Sequence, residues 1–296
     1  MTSAWRQFFD EDFLSRLERL RLAAKHALRP LPGSRASRRL GDGLEFADHR
    51  AYAPGDDVRF IDWPYFARME RLLLRLVHEH SEAEVAILLD SSASMGSAQG
   101  KFDYARRAAA ALAYVALGGH ERVLLAPFNS ALAAVVHAGR SREHIFPLLE
   151  ALGELAPGGK TDLSAAVREL IAHCPRAGVV LLISDLLDCR GQLDDALARL
   201  RVAGRRTDVL HIVSPAEAAP RFEGPLLLEH AEDRSRLDID ASKELLAQYR
   251  LQWQQFMDGC RQACLAGGAI YQAAPTDMPI DRLVLVSLKQ SGVLEG

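Results

Sequence analysis

Cysteine is scarce in this chain and falls into no metal-binding pattern. The four present are Cys174, Cys189, Cys260 and Cys264, and none belongs to a Cys-x-x-Cys unit matched by a second one. That spacing excludes a zinc ribbon or finger. Cys260 and Cys264 stand one helical turn apart, which suits a soft metal, but burial as small apolar side chains accounts for them better. A long apolar run is missing as well: nothing approaches the roughly 18 residues of a membrane span. The first residues, from Met1 to Asp12, lack the apolar core of a signal peptide and carry acids that a transit peptide avoids. The expectation is a cytoplasmic protein without a membrane span. Nor is there an excess of one charge. Lys and Arg number 36 against 39 Asp and Glu, a net charge of -3, which argues against a general nucleic-acid binder. A Gly-x-Ser-x-Gly elbow is absent, and Gly159-Lys160-Thr161 imitates only the end of a phosphate-binding loop.

What is there is an alternation of short apolar runs and amphipathic stretches. Glu84 to Leu89, Val123 to Phe128, Val179 to Ile183, Val209 to Val213 and Ala269 to Gln272 read as strands. Lys101 to Leu117, Ser141 to Leu152, Leu163 to Ile171, Gln192 to Arg201 and Ala241 to Leu265 read as helices. That order predicts an α/β fold with a doubly wound, mostly parallel sheet. Leu72 to Glu79 reads as a strand joined to Glu84–Leu89 by a polar turn, and so as an antiparallel edge strand of that sheet. Asp12 to Leu28 has helical spacing, and Pro30, Pro32 and Gly33 end it. The expected organisation is an accessory segment over 1–80, comprising a helix, a basic linker with Arg35, Arg38 and Arg39, and a charged motif block. A sheet domain with a C-terminal helical extension follows over 81–296.

The chemistry sits where strands end. Asp90-Ser91-Ser92-Ala93-Ser94 directly follows the run Val85 to Leu89, so one carboxylate and two hydroxyls project at alternating positions from a strand's carboxyl end. In open α/β sheets that edge is where ligands bind. Gly158-Gly159-Lys160-Thr161-Asp162 places Thr161 in a loop at a helix start, and Val179 to Asp185 is a second strand ending in a carboxylate. Asp90, Ser92, Ser94, Thr161 and Asp185 are therefore candidate ligands, all hard oxygens, which suit Mg²⁺, Mn²⁺ or Ca²⁺ rather than zinc or copper. The competing explanation is a serine-capped turn.

Asp-x-Ser-x-Ser, then Gly-Gly-x-Thr, then a strand ending in Asp resembles the metal-ion-dependent adhesion site of von Willebrand factor A domains. Upstream, Gly43 to Trp63 with Ala67-Arg68 resembles the signature of the bacterial family catalogued as domain of unknown function 58. The resemblance runs from about Leu31 to the C-terminus. It implies a von Willebrand factor A-like fold, a metal site at the five residues above, and partnership with a MoxR-type AAA+ ATPase. A partner's Asp or Glu would then engage the metal.

Arg50, Asp56, Asp57, Arg59, Asp62 and Arg68 alternate acid and base within that signature. They read mainly as a structural ion-pair network, with Phe60, Ile61 and Trp63 buried beneath it. Arg50, Asp57, Arg59 and Arg68 are the candidates if the segment instead contacts a partner. The function expected is a non-enzymatic, metal-dependent protein-binding module. The alternative is a Mg²⁺-dependent phosphohydrolase of haloacid dehalogenase type, using Asp90, Ser130, Lys160, Asp185 and Asp188. That chemistry needs a second acid two residues after the nucleophile, and Ser92 stands there instead.

Overall fold

The computed structural model describes residues 8, 16, 21–22, 45–54, 56–78, 84–189 and 191–295. The chain divides into two compact units. One spans Leu28–Glu82, and the other joins Ala83–Gly296 with Met1–Ala27. The basic linker residues Arg35, Arg38 and Arg39 lie outside the described residues. So does most of the helix expected over Asp12–Leu28. Arg16 is helical, but Arg21–Leu22 form a short strand, β1, which corrects that expectation at its centre.

In the smaller unit, β2 (Glu45–Ala51) pairs antiparallel with β3 (Leu73–His78), with a register shift between Phe46 and Asp48. Between them runs α1 (Trp63–Met69). Asp62 caps it by accepting from the Tyr65 amide (2.9 Å), and Pro64 sits in the first turn, where its missing N–H costs nothing. Ile61 is buried and bridges Leu74. Trp63, expected in the core, is 56% exposed. It stands in the first turn of a helix that has no buried residue, with the Phe66 ring edge-on to the indole at 6.2 Å.

The larger unit carries a six-stranded sheet. Its strands are β4 (Glu84–Asp90), β5 (Arg122–Phe128), β6 (Val136–Ala138), β7 (Ala177–Ser184), β8 (Arg206–Val213) and β11 (Ile270–Pro275), in the spatial order β11-β8-β7-β4-β5-β6. All neighbours are parallel except β6, which returns antiparallel along β5. The antiparallel edge strand is therefore β6. The expected pairing of Leu72–Glu79 with β4 does not occur, because β4 is hydrogen-bonded on both sides, to β5 and β7. Of the remaining strands, β9 (Gly224–Glu229) and β10 (Arg236–Ala241) form a separate hairpin, and β12 (Leu294–Glu295) pairs with β1.

The period-2 geometry of strands sorts the apolar residues onto two faces. Val85, Ile87 and Leu89, with Leu125, Leu181 and Ile183, pack under α2 (Lys101–Gly118) and α3 (Phe146–Glu154). Ala86 and Leu88, with Leu124, Val180 and Leu182, pack under α4 (Leu163–His173) and α5 (Leu193–Val202). Helices on both faces explain why β4 is buried along its whole length and reads as an unbroken apolar run. In α2 the run of alanines combines high helix propensity with close approach to the sheet; Ala108 to Ala111 are fully buried. A short helix, α6 (Pro215–Ala218), follows β8, and the long α7 (Lys243–Gly267) follows the β9–β10 hairpin. The last strand of the sheet, β11, comes after α7. Cys260 and Cys264 of α7 are buried in the second core, as small apolar side chains. Among the described residues no helix is long and apolar enough to cross a membrane.

Candidate functional site

The strand order fixes where a ligand would sit. Counting strands within the sheet along the chain, the order reverses direction between β4 and β7: β5 and β6 lie to one side of β4, and β7, β8 and β11 to the other. At such a switch point the loops leaving two neighbouring strands diverge to opposite faces and open a crevice. Asp90 ends β4, and Asp185 directly follows β7.

Both carboxylates are almost wholly buried, as are Ser92 and Ser94. Asp90 Oδ1 accepts from the Ser92 amide (2.9 Å), and Asp90 Oδ2 accepts from the Ser184 hydroxyl (2.6 Å). The hydroxyls of Ser92 and Ser94 are hydrogen-bonded at 3.0 Å, and Ser94 Oγ donates to Asp185 Oδ1 at 3.4 Å. The four residues thus form one connected chain of hydrogen bonds. Leu186, the next residue, takes φ 58° although fully buried, an uncommon conformation for a bulky side chain. Its amide donates to Ser184 Oγ, and the Leu187 amide donates to Asp185 Oδ1, so the kink fixes the carboxylate at the strand's end.

Thr161 reaches this edge on a loop laced to the first. The Gly158 amide donates to Ser91 O (2.8 Å), and the Ala93 amide donates to Gly159 O (3.0 Å). Gly159 adopts φ +80°, which glycine alone takes without strain, and a side chain there would press on Asn129. Asp162 caps α4 through the Ala165 amide, and its own amide donates to Asn129 O. The Thr161 side chain is not bonded to the four-residue chain. Its hydroxyl donates to Glu232 Oε1 (2.7 Å) and its amide to Glu232 Oε2 (3.0 Å), from the turn between β9 and β10.

Three further groups were not evident from sequence. Lys101, at the start of α2, is fully buried. Its ammonium donates to Asp185 Oδ2 (2.5 Å), Glu217 Oε1 (2.7 Å) and Ser94 O (3.2 Å). Glu217, from α6, also accepts from Ser97 Oγ (2.8 Å), while its buried Oε2 has no hydrogen-bond donor among the described residues. Ser184 completes the shell of Asp90. A lysine opening a helix and a glutamate in a short loop helix carry no motif; only the fold brings them here.

Charge is incompletely balanced. Burial, then the neighbouring charge of Asp185, pushes Asp90 up from 3.8 to about 6, against the opposing hydrogen bonds from Ser184 and Ser92. Asp90 receives only neutral donors, whereas Lys101 is engaged by Asp185 and Glu217. Burial, followed by the charge of Glu232, also raises Asp188, the acid just beyond Asp185. Two buried carboxylates, two hydroxyls and an orphaned Glu217 oxygen are a donor set that fits a hard divalent cation. The same geometry gives no support to the phosphohydrolase arrangement: Ser130 and Lys160 are exposed, and the ammonium at the carboxylates is that of Lys101.

In the smaller unit the charged signature residues satisfy one another locally. Arg50 Nη2 lies 2.6 Å from Asp56 Oδ1, Arg59 Nη2 lies 2.6 Å from Asp57 Oδ2, and His49 Nε2 lies 2.9 Å from Asp62 Oδ2. Arg68 Nε donates to Pro64 O. The Ala53 amide and then Arg50 hold Asp56 below its ordinary range; Arg59 does the same for Asp57. The local pairing agrees with a structural role, but Trp63 is not the buried anchor it was expected to be.

The family described as protein of unknown function DUF58 matches residues 48–257, and the chain belongs to it. Uncharacterized proteins of Mycobacterium bovis and Mycobacterium tuberculosis are 32% identical over 200 residues, covering 65% of this chain. The match spans 62% of the length of those relatives. Solved structures with a similar course include BatB, a conserved hypothetical protein from Bacteroides thetaiotaomicron (14% identity, TM-score 0.42, 71% of this chain and 98% of that one). A von Willebrand factor type A protein from Catenulispora acidiphila is 13% identical with a TM-score of 0.44, covering 74% of this chain and 43% of the other.

Proposed function

We propose that this chain is a protein-binding module whose contact with its partner runs through a divalent cation, Mg²⁺ before Mn²⁺ or Ca²⁺. Asp90, Ser92, Ser94, Thr161 and Asp185 would hold the ion directly or through water. When bound, it supplies a positive centre able to accept one more oxygen from an acidic side chain of the partner. The observation that carries the proposal is the connected chain Asp90–Ser92–Ser94–Asp185 at the switch point of the sheet, buried yet short of positive charge. A hard dication satisfies such a set of oxygen donors and supplies the positive charge it is short of.

The partner proposed is a MoxR-type AAA+ ATPase, with this chain as its adaptor in complex assembly, because the family resemblance implies that pairing. Co-purification of the tagged chain with that ATPase in Mg²⁺ and in chelator tests it. Binding in Mg²⁺ alone is expected. Thr161→Ala should weaken partner binding more than metal binding, because Thr161 lies apart from the four-residue chain and faces a carboxylate. Equal recovery in chelator would contradict the proposal. So would metal-dependent cleavage of a phosphate monoester that is lost in Asp90→Asn.

A further inference from the structure

The β9–β10 hairpin reaches the site across 71 residues of sequence and grips the threonine there. Its turn is a built structure: the His230 amide donates to Ser235 O (2.8 Å), the Arg234 amide to His230 O (3.1 Å), and the Ser235 amide to Asp233 Oδ1 (2.8 Å). Arg234 takes φ 61° to close it. From this turn Glu232 accepts both donors of Thr161, one on each carboxylate oxygen. His230 Nε2 stands 3.6 Å from Asp188 Oδ1, on the loop just past Asp185. The hairpin therefore touches two of the three loops that make the site, and at Thr161 it does so with a carboxylate.

We propose that Glu232 is an internal stand-in for the partner's acidic residue, and that the hairpin keeps the site closed until a partner displaces it. This rests on the metal-dependent binding function proposed above. The chemistry is an exchange of one carboxylate for another on the same threonine, so the hydrogen bonds that break resemble those that form. The internal group has the advantage of effective concentration, since its covalent attachment holds it at the site. A free carboxylate has to compete against that advantage unaided and binds weakly. A protein partner that binds elsewhere on the chain as well can, which makes the hairpin a filter against adventitious acids. Glu232 is partly exposed, so an incoming acid has access to the atoms it must replace.

The test compares the full chain with Glu232→Ala and Glu232→Gln, using Mn²⁺ and glutarate as probes. With Mn²⁺ present, glutarate should bind both variants at least about tenfold more tightly than wild type, the size expected when a charge-assisted hydrogen bond is removed. Without metal, the Thr161 amide should exchange its hydrogen about tenfold faster in Glu232→Ala. Equal glutarate affinity in all three chains overturns the proposal, and so does an unchanged Thr161 exchange rate. If no chain binds Mn²⁺, the metal reading fails and the exchange measurement alone decides whether Glu232 holds Thr161.

Discussion

In the segment from Arg50 to Arg68, Arg50, Asp56, Asp57, Arg59 and Arg68 find partners within six residues and near the surface, and Asp62 pairs with His49, 13 residues back. Around Asp90 and Asp185 the ion pairs, those of Lys101 with Asp185 and Glu217, span 84 and 116 residues and meet away from the surface. The two regions hold similar residue types and differ in what they can do. A solvated local pair is worth little and constrains little, whereas a buried pair that loses one member leaves an uncompensated charge. The denser motif is therefore not the place where charge is under tension. That place is the crevice between β4 and β7, where the Lys101 ammonium serves two other carboxylates and Asp90 is left with neutral donors.

The strongest way to break this contrast is to remove the buried ammonium. Lys101→Met should cost about 3–5 kcal/mol in urea unfolding, because the buried Asp185 and the partly buried Glu217 are left without a cation. A loss below about 1 kcal/mol would mean that the crevice tolerates its carboxylates as easily as the surface segment does.

The pH dependence sharpens the contrast next. Asp90 ionises near 6 in the folded chain and near 3.8 when unfolded. Between those values the native state holds a proton that the unfolded state has lost, so metal-free stability falls as pH rises through that window, by roughly 3 kcal/mol at most. A bound dication favours the ionised carboxylate. Mg²⁺ should then raise the melting temperature more at pH 7.5 than at pH 5, as thermal melts across that range would show. A pH-independent increment would contradict the role given to Asp90.

Smaller effects are expected in the signature segment. Trp63→Ala should cost about 1 kcal/mol or less, since the indole is exposed and its ring neighbour is the edge-on Phe66 at 6.2 Å. Asp57→Asn should leave the unfolding midpoint unchanged, because the Arg59 side chain it pairs with is 80% exposed. A large loss from either would reverse the contrast.

Much of the fold was legible because strands buried on both faces are apolar throughout, as Val85 to Leu89 and Val179 to Ile183 are. Asp90, Ser92, Ser94 and Asp185 could be found by asking which polar groups stand at the ends of those runs. What escaped was whatever depends on pairing between distant segments. Leu73–His78 is a strand beside a polar stretch of sequence, as an edge strand would be, but its partner is β2, since both sides of β4 are taken by parallel neighbours. β10 reads Arg-Leu-Asp-Ile-Asp-Ala, a weak strand whose pairing with β9 is what carries Glu232 to Thr161. Lys101 looked like an ordinary helix-opening lysine. Nothing local marks it as the cation of the crevice.

Calorimetric titration of the chelator-treated chain with Mg²⁺ and Mn²⁺, beside Asp90→Ala and Ser94→Ala, tests the central claim most directly. One binding event per chain is expected in wild type, abolished in Asp90→Ala and at least weakened in Ser94→Ala. Identical binding in all three chains, or none in wild type, would contradict it.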